Sequence, residues 1–308
     1  MQIRTGCFPS CERFAAWRRG SSLYELLDVA PESHILDAGC GCGRVALYMA
    51  SRELYVTAID VTDRHLERAR RNILQLKDLG GRVTVEKMDY HHLEPLAADS
   101  FDGVYAMESL CHATNPLQVF QGFLRILRPG GQLVIRDADH PSGDVAMGAE
   151  AATMINRISE FGAMPTFQRS KDGLYRELLE EAGFTDVRLY DYSENVKPML
   201  RLFWLLSVVP RFFIKLFGLR NTYSHVDLGW WAYKEQRHWR YVAIAASKHS
   251  GYLGRERCCP LATGHRIGRW PLYSTLEAGL VVACLETLAS QLIDELYRQG
   301  KPHYDQLA

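Results

Sequence analysis

The sequence lacks an excess of charge of either sign, a long uncharged apolar run, and any cysteine spacing that builds a metal or disulfide framework. Each absence removes a class of protein. Thirty-six Lys and Arg balance 36 Asp and Glu, so no nucleic acid partner is expected. Eight cysteines stand at 7, 11, 40, 42, 111, 258, 259 and 284. A disulfide at 40 or 42 would distort the glycine turn that these residues flank, and Cys258-Cys259 has no C-x-x-C partner. No zinc site and no other metal site is expected, and a reduced, cytoplasmic setting fits. Residues 1–20 carry no apolar core of the signal-peptide kind. The greasiest stretch, 196–218, is interrupted by Arg201, Pro210, Arg211 and Lys215, whereas a membrane span needs about 20 largely uncharged residues. No internal repeat is visible.

What is present is organised around His34-Ile35-Leu36-Asp37-Ala38-Gly39-Cys40-Gly41-Cys42-Gly43-Arg44-Val45-Ala46-Leu47. An apolar run, an acid, three alternating glycines and a helix-like segment lay out a nucleotide-binding βα unit. The glycines allow a sharp turn and close ligand approach, and the N–H groups at the following helix start can face a polar ligand. A dinucleotide loop requires G-x-G-x-x-G. Here position 44 is Arg and the third glycine is Gly43, giving D-x-G-x-G-x-G.

The rest of the chain alternates strand and helix patterns, which predicts a doubly wound α/β sheet. Leu54 to Asp60 reads as a second strand closing on an acid. One carboxylate there can hold two vicinal hydroxyls, as on a ribose, or can cap the next helix. Val83 to Asp89 is a third strand, again closing on an acid and followed by Tyr90. Ser100 to Ala113 reads as a fourth strand and the turn after it, with Glu108, Ser109, Cys111 and His112 on the ligand side. Pro116 to Leu127 is an amphipathic helix, and Arg128-Pro129-Gly130-Gly131 reads as a tight turn before the fifth strand. Sixth and seventh strands are read over 185–192 and 238–248. The apolar, aromatic segment 196–218 is either a packed helical cap or the wall of a pocket for a greasy substrate, with a peripheral membrane contact open to it. A long helix pattern over 274–298, with Leu276, Leu280, Cys284, Leu288, Leu292 and Leu296 on one face, supplies either a lid helix or a homodimer contact.

D-x-G-x-G-x-G, Asp60, Asp89 and L-R-P-G-G fall in the order found in class I S-adenosylmethionine (SAM) dependent methyltransferases, and the chain resembles that family over roughly 20–248. Glu108-Ser109-Leu110-Cys111-His112-Ala113 is similar to the E-A-T-C-H-A motif of sterol 24-C-methyltransferases, with tocopherol methyltransferases close by. The aromatic stretch that those sterol enzymes carry before the glycine motif is missing, which moves the expected substrate towards other lipophilic natural products.

The resemblance implies a Rossmann-like, seven-stranded, mostly parallel sheet with a helical cap, to which the helix pattern at 274–298 adds a C-terminal helical extension. It implies a methyltransferase domain over 1–248 with its cap about 140–235, and the linker composition and helix pattern beyond read as an extension over 249–308. It implies SAM as cofactor, held by Asp37, Gly39, Gly41, Gly43, Asp60, Val61, Asp89 and Tyr90, with Asp89 at the adenine amine. Glu108 and His112 are the candidate bases for methyl transfer to a carbon or oxygen. Glu108 could instead cap a helix or hold the SAM amino group, and His112 could simply pack. Two other functions stay open: a non-methylating cyclisation on the same fold, and a non-catalytic partner of another methyltransferase.

Overall fold

A computed structural model of the chain describes residues 21–139 apart from 77, 78 and 80, scattered positions between 152 and 166, and residues 173–216 and 230–250. The C-terminal helix pattern at 274–298, His140 and five of the cysteines lie outside the described residues. Helix α1 covers 21–27, followed by β1 (His34–Ala38), α2 (Arg44–Ala50), β2 (Tyr55–Asp60), α3 (Asp63–Leu74) and β3 (Val83–Lys87). Next come β4 (Phe101–Met107), a 3-10 turn at Leu110–His112, α4 (Pro116–Ile126) and β5 (Leu127–Asp139). Helix α5 (Leu174–Ala182), β6 (Phe184–Asp191), α6 (Ser193–Leu216) and β7 (Arg240–Lys248) complete the order.

The seven strands form one sheet in the order β3-β2-β1-β4-β5-β7-β6. The first five are parallel to one another, and β7 runs antiparallel to both of its neighbours. The seven-stranded, mostly parallel sheet inferred from the sequence is therefore the observed one. Parallel strands covered on both faces must be apolar throughout; Ile35, Leu36, Asp37 and Ala38 are all buried. One apolar layer gathers Leu36, Ile59, Val104, Phe120, Phe123 and Tyr175; the other gathers Leu27, Ile35, Tyr48, Met49 and Tyr105.

Local chemistry sets the helix limits. In α3 only Leu66, Ala69 and Ile73 are buried, at helical spacing, and the charged residues face out. Asn115 caps α4 by accepting a hydrogen bond from Gln118 N–H at 3.3 Å, with Pro116 in the first turn. Gly183, at φ 104°, stops α5 in the left-handed conformation.

Two segments differ from the sequence reading. The expected turn at Arg128–Gly131 is a bulge inside β5. Phe101 pairs with Leu127 and then Gly103 with Gln132, so several residues of β5 are extruded while pairing continues. Helix α6 runs unbroken through Pro198 and Pro210. The exposed Pro210 forfeits a helix hydrogen bond, and burial of Leu200, Ser207, Arg211 and Ile214 on one face offsets that loss.

Strand β7 positions the cap. Because it runs antiparallel to β5, its first residue lies at the carboxyl end of β5, where Arg240 pairs with Asp139 at 2.9 Å. The connection from β6 to β7 thus leaves and returns on the same edge as the ends of β1, β2 and β4. Tyr192 N–H donates to Tyr241 O at 2.7 Å, and Tyr241 N–H donates to Ser193 Oγ at 3.0 Å. Above this neck Trp204 lies 5.7 Å from Trp230 and 5.5 Å from Tyr233, and the Arg211 guanidinium sits 4.4 Å above the Trp230 ring. Arg211, read as an interruption, is thus a packed cation–π partner. Leu205, Val208, Phe212 and Leu216 remain exposed on the opposite face of α6. Among the described residues no helix is long and apolar enough to cross a membrane.

Candidate active site

Strand order reverses between β1 and β4, and the crevice at such a switch point is where open α/β sheets bind ligands. The loop leaving β1 is held there by its own backbone. Gly39 and Cys40 N–H both donate to Ile59 O, at 3.0 and 2.9 Å, and Asn72 Nδ2 donates to Cys42 O at 2.9 Å. All three glycines have positive φ, at 90°, 52° and 70°. Their surroundings differ. A Cβ on Gly39 would lie 2.5 Å from Ser109 Cβ, one on Gly43 would lie 3.1 Å from Ala69 Cβ, and one on Gly41 would meet nothing within 4 Å. Gly39 and Gly43 therefore serve packing, while Gly41 lines an open cradle.

Three carboxylates surround this cradle. Asp37 is buried at the end of β1, and its Oδ2 has no hydrogen-bond partner. Burial pushes this carboxyl up to about 7; the neighbouring Tyr105 hydroxyl lowers it and the Asp60 charge raises it. Asp60 accepts hydrogen bonds from Gly41 N–H at 2.9 Å and Thr62 N–H at 2.8 Å, and His65 Nδ1 lies 3.3 Å away. It both closes the glycine loop and organises the start of α3, as the capping reading of the sequence has it. Asp89 accepts at Oδ1 from His91 N–H at 2.9 Å and from the His91 ring at 2.7 Å. Burial raises its carboxyl and the His91 bonds outweigh that effect, so it titrates below the usual carboxylate range. Val61 stands exposed beside Asp60, and Tyr90 is half-buried with its hydroxyl donating to Ser109 O at 3.0 Å.

On the substrate side, Glu108 adopts φ 53°, a left-handed conformation unusual for a non-glycine residue and a frequent mark of functional sites. Its Oε1 accepts a hydrogen bond from the Tyr241 hydroxyl at 2.8 Å. His112 Nδ1 lies 2.9 Å from Ala163 O. A carbonyl only accepts, so Nδ1 carries a proton, and in the neutral ring Nε2 is the nitrogen with the lone pair. Glu108 and His112 thus share one edge but are held by different partners. Beneath them Asp137 accepts from Cys111 N–H and Ala138 N–H, each at 2.8 Å. Burial lifts the Asp137 carboxyl to about 7 against those two bonds, with the Glu108 charge adding to the rise. Burial also pushes the Cys111 thiol upward, which leaves it a packing group. Sequence reasoning did not find His91 or Tyr241. No local motif marks either, because their partners are brought to them by the sheet. Among the described residues no cluster of His, Cys, Asp and Glu could hold a metal ion.

A doubly wound sheet, a glycine cradle open at Gly41 and acids closing β1 and β2, with a third just past β3, define a nucleotide-cofactor-binding α/β enzyme fold. The family model described as "Methyltransferase domain" matches residues 36–135. The S-adenosyl-L-methionine-dependent Diels-Alderase iccD of Talaromyces variabilis is 36% identical over 218 residues, covering 70% of this chain and 75% of that protein. Its counterpart iliD of Neonectria sp. (strain DH2) is 42% identical over 172 residues, covering 55% and 66%. The methyltransferase GfsG of Streptomyces halstedii is 35% identical over 189 residues, covering 60% and 64%. The chain belongs to the SAM-dependent methyltransferase family.

The residues present suit that family's cofactor. An orphaned buried carboxylate oxygen on Asp37 complements a cationic ammonium or sulfonium group, and Asp60 and Asp89 offer acceptors to hydroxyl and amine donors. Gly41 leaves open space beside them, where a Cβ would meet nothing within 4 Å.

Proposed function

We propose that this chain binds SAM through Asp37, Gly39, Gly41, Gly43, Asp60, Val61, Asp89 and Tyr90, and transfers its methyl group to a carbon or oxygen of a lipophilic natural product. The observation that carries the reading is that His112, held through Nδ1 by Ala163 O, and Glu108, held by Tyr241, follow directly on the carboxyl end of β4, with Nε2 left as the basic nitrogen of the neutral ring. When bound, SAM supplies an electrophilic methyl on a good leaving group. The protein then has to align the acceptor and, for a hydroxyl or an enolisable carbon, take up one proton. Nε2 of His112 is the base of choice, and Glu108, fixed by Tyr241, is the acceptor-side carboxylate. The aromatic cap of Trp204, Trp230 and Tyr233 supports a greasy acceptor.

A second reading is favoured by a specific observation: iccD, which aligns over three quarters of its length, is named a Diels-Alderase. In a cycloaddition the same cap would hold one substrate folded, and no methyl group would leave. Incubation of the protein and candidate substrates with methyl-labelled SAM separates the two. Label in the product supports transfer, whereas conversion that needs SAM but leaves the product unlabelled supports cyclisation and ends the methyl-transfer reading.

The limits 1–248 and 249–308 for domain and extension belong to this proposal, and limited proteolysis tests them. The exposed Leu205, Val208, Phe212 and Leu216 support a peripheral membrane contact. Failure to float with liposomes would remove it.

A further inference from the structure

Two independent constraints fix the protonation of His91. Asp89 Oδ1 lies 2.7 Å from Nδ1, and a carboxylate can only accept. On the other side of the ring, Thr114 N–H and Asn115 N–H point at Nε2 from 3.2 and 3.4 Å, and the Thr114 hydroxyl lies 3.3 Å away. Backbone amides can only donate. The ring must therefore be neutral, with its proton on Nδ1 and its lone pair on Nε2. Backbone bonds pin it further: His91 N–H donates to Asp89 Oδ1 at 2.9 Å and His91 O accepts from Gln118 Nε2 at 2.9 Å.

Both bonds to Asp89 fall on one oxygen, so Oδ2 keeps its acceptor capacity for a ligand. The two amides on Nε2 belong to the turn that begins two residues after His112 and leads into α4. One imidazole thus joins the acid beyond β3 to the segment that carries the candidate base.

We propose that His91 is a positioning residue that orients Asp89 towards the cofactor and couples cofactor binding to the acceptor-side turn. The inference rests on the reading of Asp89 as a SAM contact. His91→Ala removes both arms of the clamp. His91→Asn retains an amide donor near the Nδ1 position but cannot reach Thr114, so it keeps the cofactor arm alone.

Calorimetry with S-adenosylhomocysteine on wild type, His91→Ala, His91→Asn, Asp89→Ala and the double variant His91→Ala/Asp89→Ala tests the route. His91→Ala should weaken binding roughly tenfold, the scale of a hydrogen bond to a charged group, and His91→Asn should restore most of it. In the Asp89→Ala background the His91→Ala effect should vanish. Equal losses in both backgrounds would overturn the proposal, because His91 would then act elsewhere than through Asp89. Nitrogen-15 NMR of the ring should report the Nδ1-protonated tautomer at neutral pH. An Nε2-protonated ring would overturn the clamp whatever the binding data. Absence of S-adenosylhomocysteine binding to the wild type would instead end the cofactor reading, and the inference with it; the tautomer measurement tells that failure apart.

Discussion

Gly39 and Ser109 are locked together across the switch point of the sheet. The Ser109 hydroxyl donates to Ala38 O at 2.7 Å, and the space where a Cβ of Gly39 would stand is 2.5 Å from Ser109 Cβ. The glycine loop after β1 and the loop that carries Glu108 and His112 are therefore in direct contact, and neither can shift alone.

Substituting Gly39→Ala should consequently injure both loops. The added methyl meets a buried side chain in a conformation that L residues avoid, at a combined cost of about 2–4 kcal/mol. Urea unfolding should register that loss. In Gly39→Ala/Ser109→Gly the clash is gone but the strain at φ 90° remains, so recovery should be partial. Full recovery would show that backbone strain is negligible there.

Asp60→Ala should weaken S-adenosylhomocysteine binding by about tenfold or more, since it removes a charged acceptor and also frees Gly41 N–H. Calorimetry reads the difference. Equal affinity for wild type and variant would refute the placement of the ribose at Asp60.

Stability should fall as pH rises from about 4 to about 7. Asp37 and Asp137 titrate near 7 in the folded chain, chiefly through burial, and near 4 when unfolded. Between those values the folded state binds more protons than the unfolded state, so the stability contribution is complete below about pH 4 and gone above about pH 7. Asp137→Asn keeps an acceptor for Cys111 N–H and removes one titration. Its melting temperature should drop less than that of wild type between pH 5 and pH 8, by about 5 °C. Parallel melting curves would contradict the assignment.

Tyr241→Phe should reduce turnover roughly tenfold, because Glu108 loses the donor that fixes it, while stability changes by less than about 1 kcal/mol for so exposed a bond. Steady-state kinetics beside a thermal melt would distinguish these effects. An unchanged kcat would remove Glu108 orientation from the mechanism.

The parallel half of the sheet and the glycine turn were legible in the sequence because their signals are local. An acid stands at or just past the end of each of the first three strands, the three glycines all take positive φ in the turn after β1, and one helix plus one strand fixes the spacing from Gly43 to Asp60. The acceptor half was not, since its contacts join distant positions. Tyr241 reaches Glu108 across 133 residues, and Ala163 reaches His112 across 51. Pairings of that kind follow from the strand order, above all from β7 entering between β5 and β6, which no local pattern announces. The L-R-P-G-G run illustrates a milder miss, as its turn chemistry is spent on a bulge within a strand.

The neck formed by Tyr192, Ser193 and Tyr241 has an entropic corollary. A segment whose two feet already stand side by side can lengthen with little penalty, because each doubling of a flexible loop costs only about 0.6 kcal/mol in closure entropy. The neck thus fixes the two ends of the β6–β7 connection side by side, and the length of chain between them is what folding constrains least at this edge of the sheet.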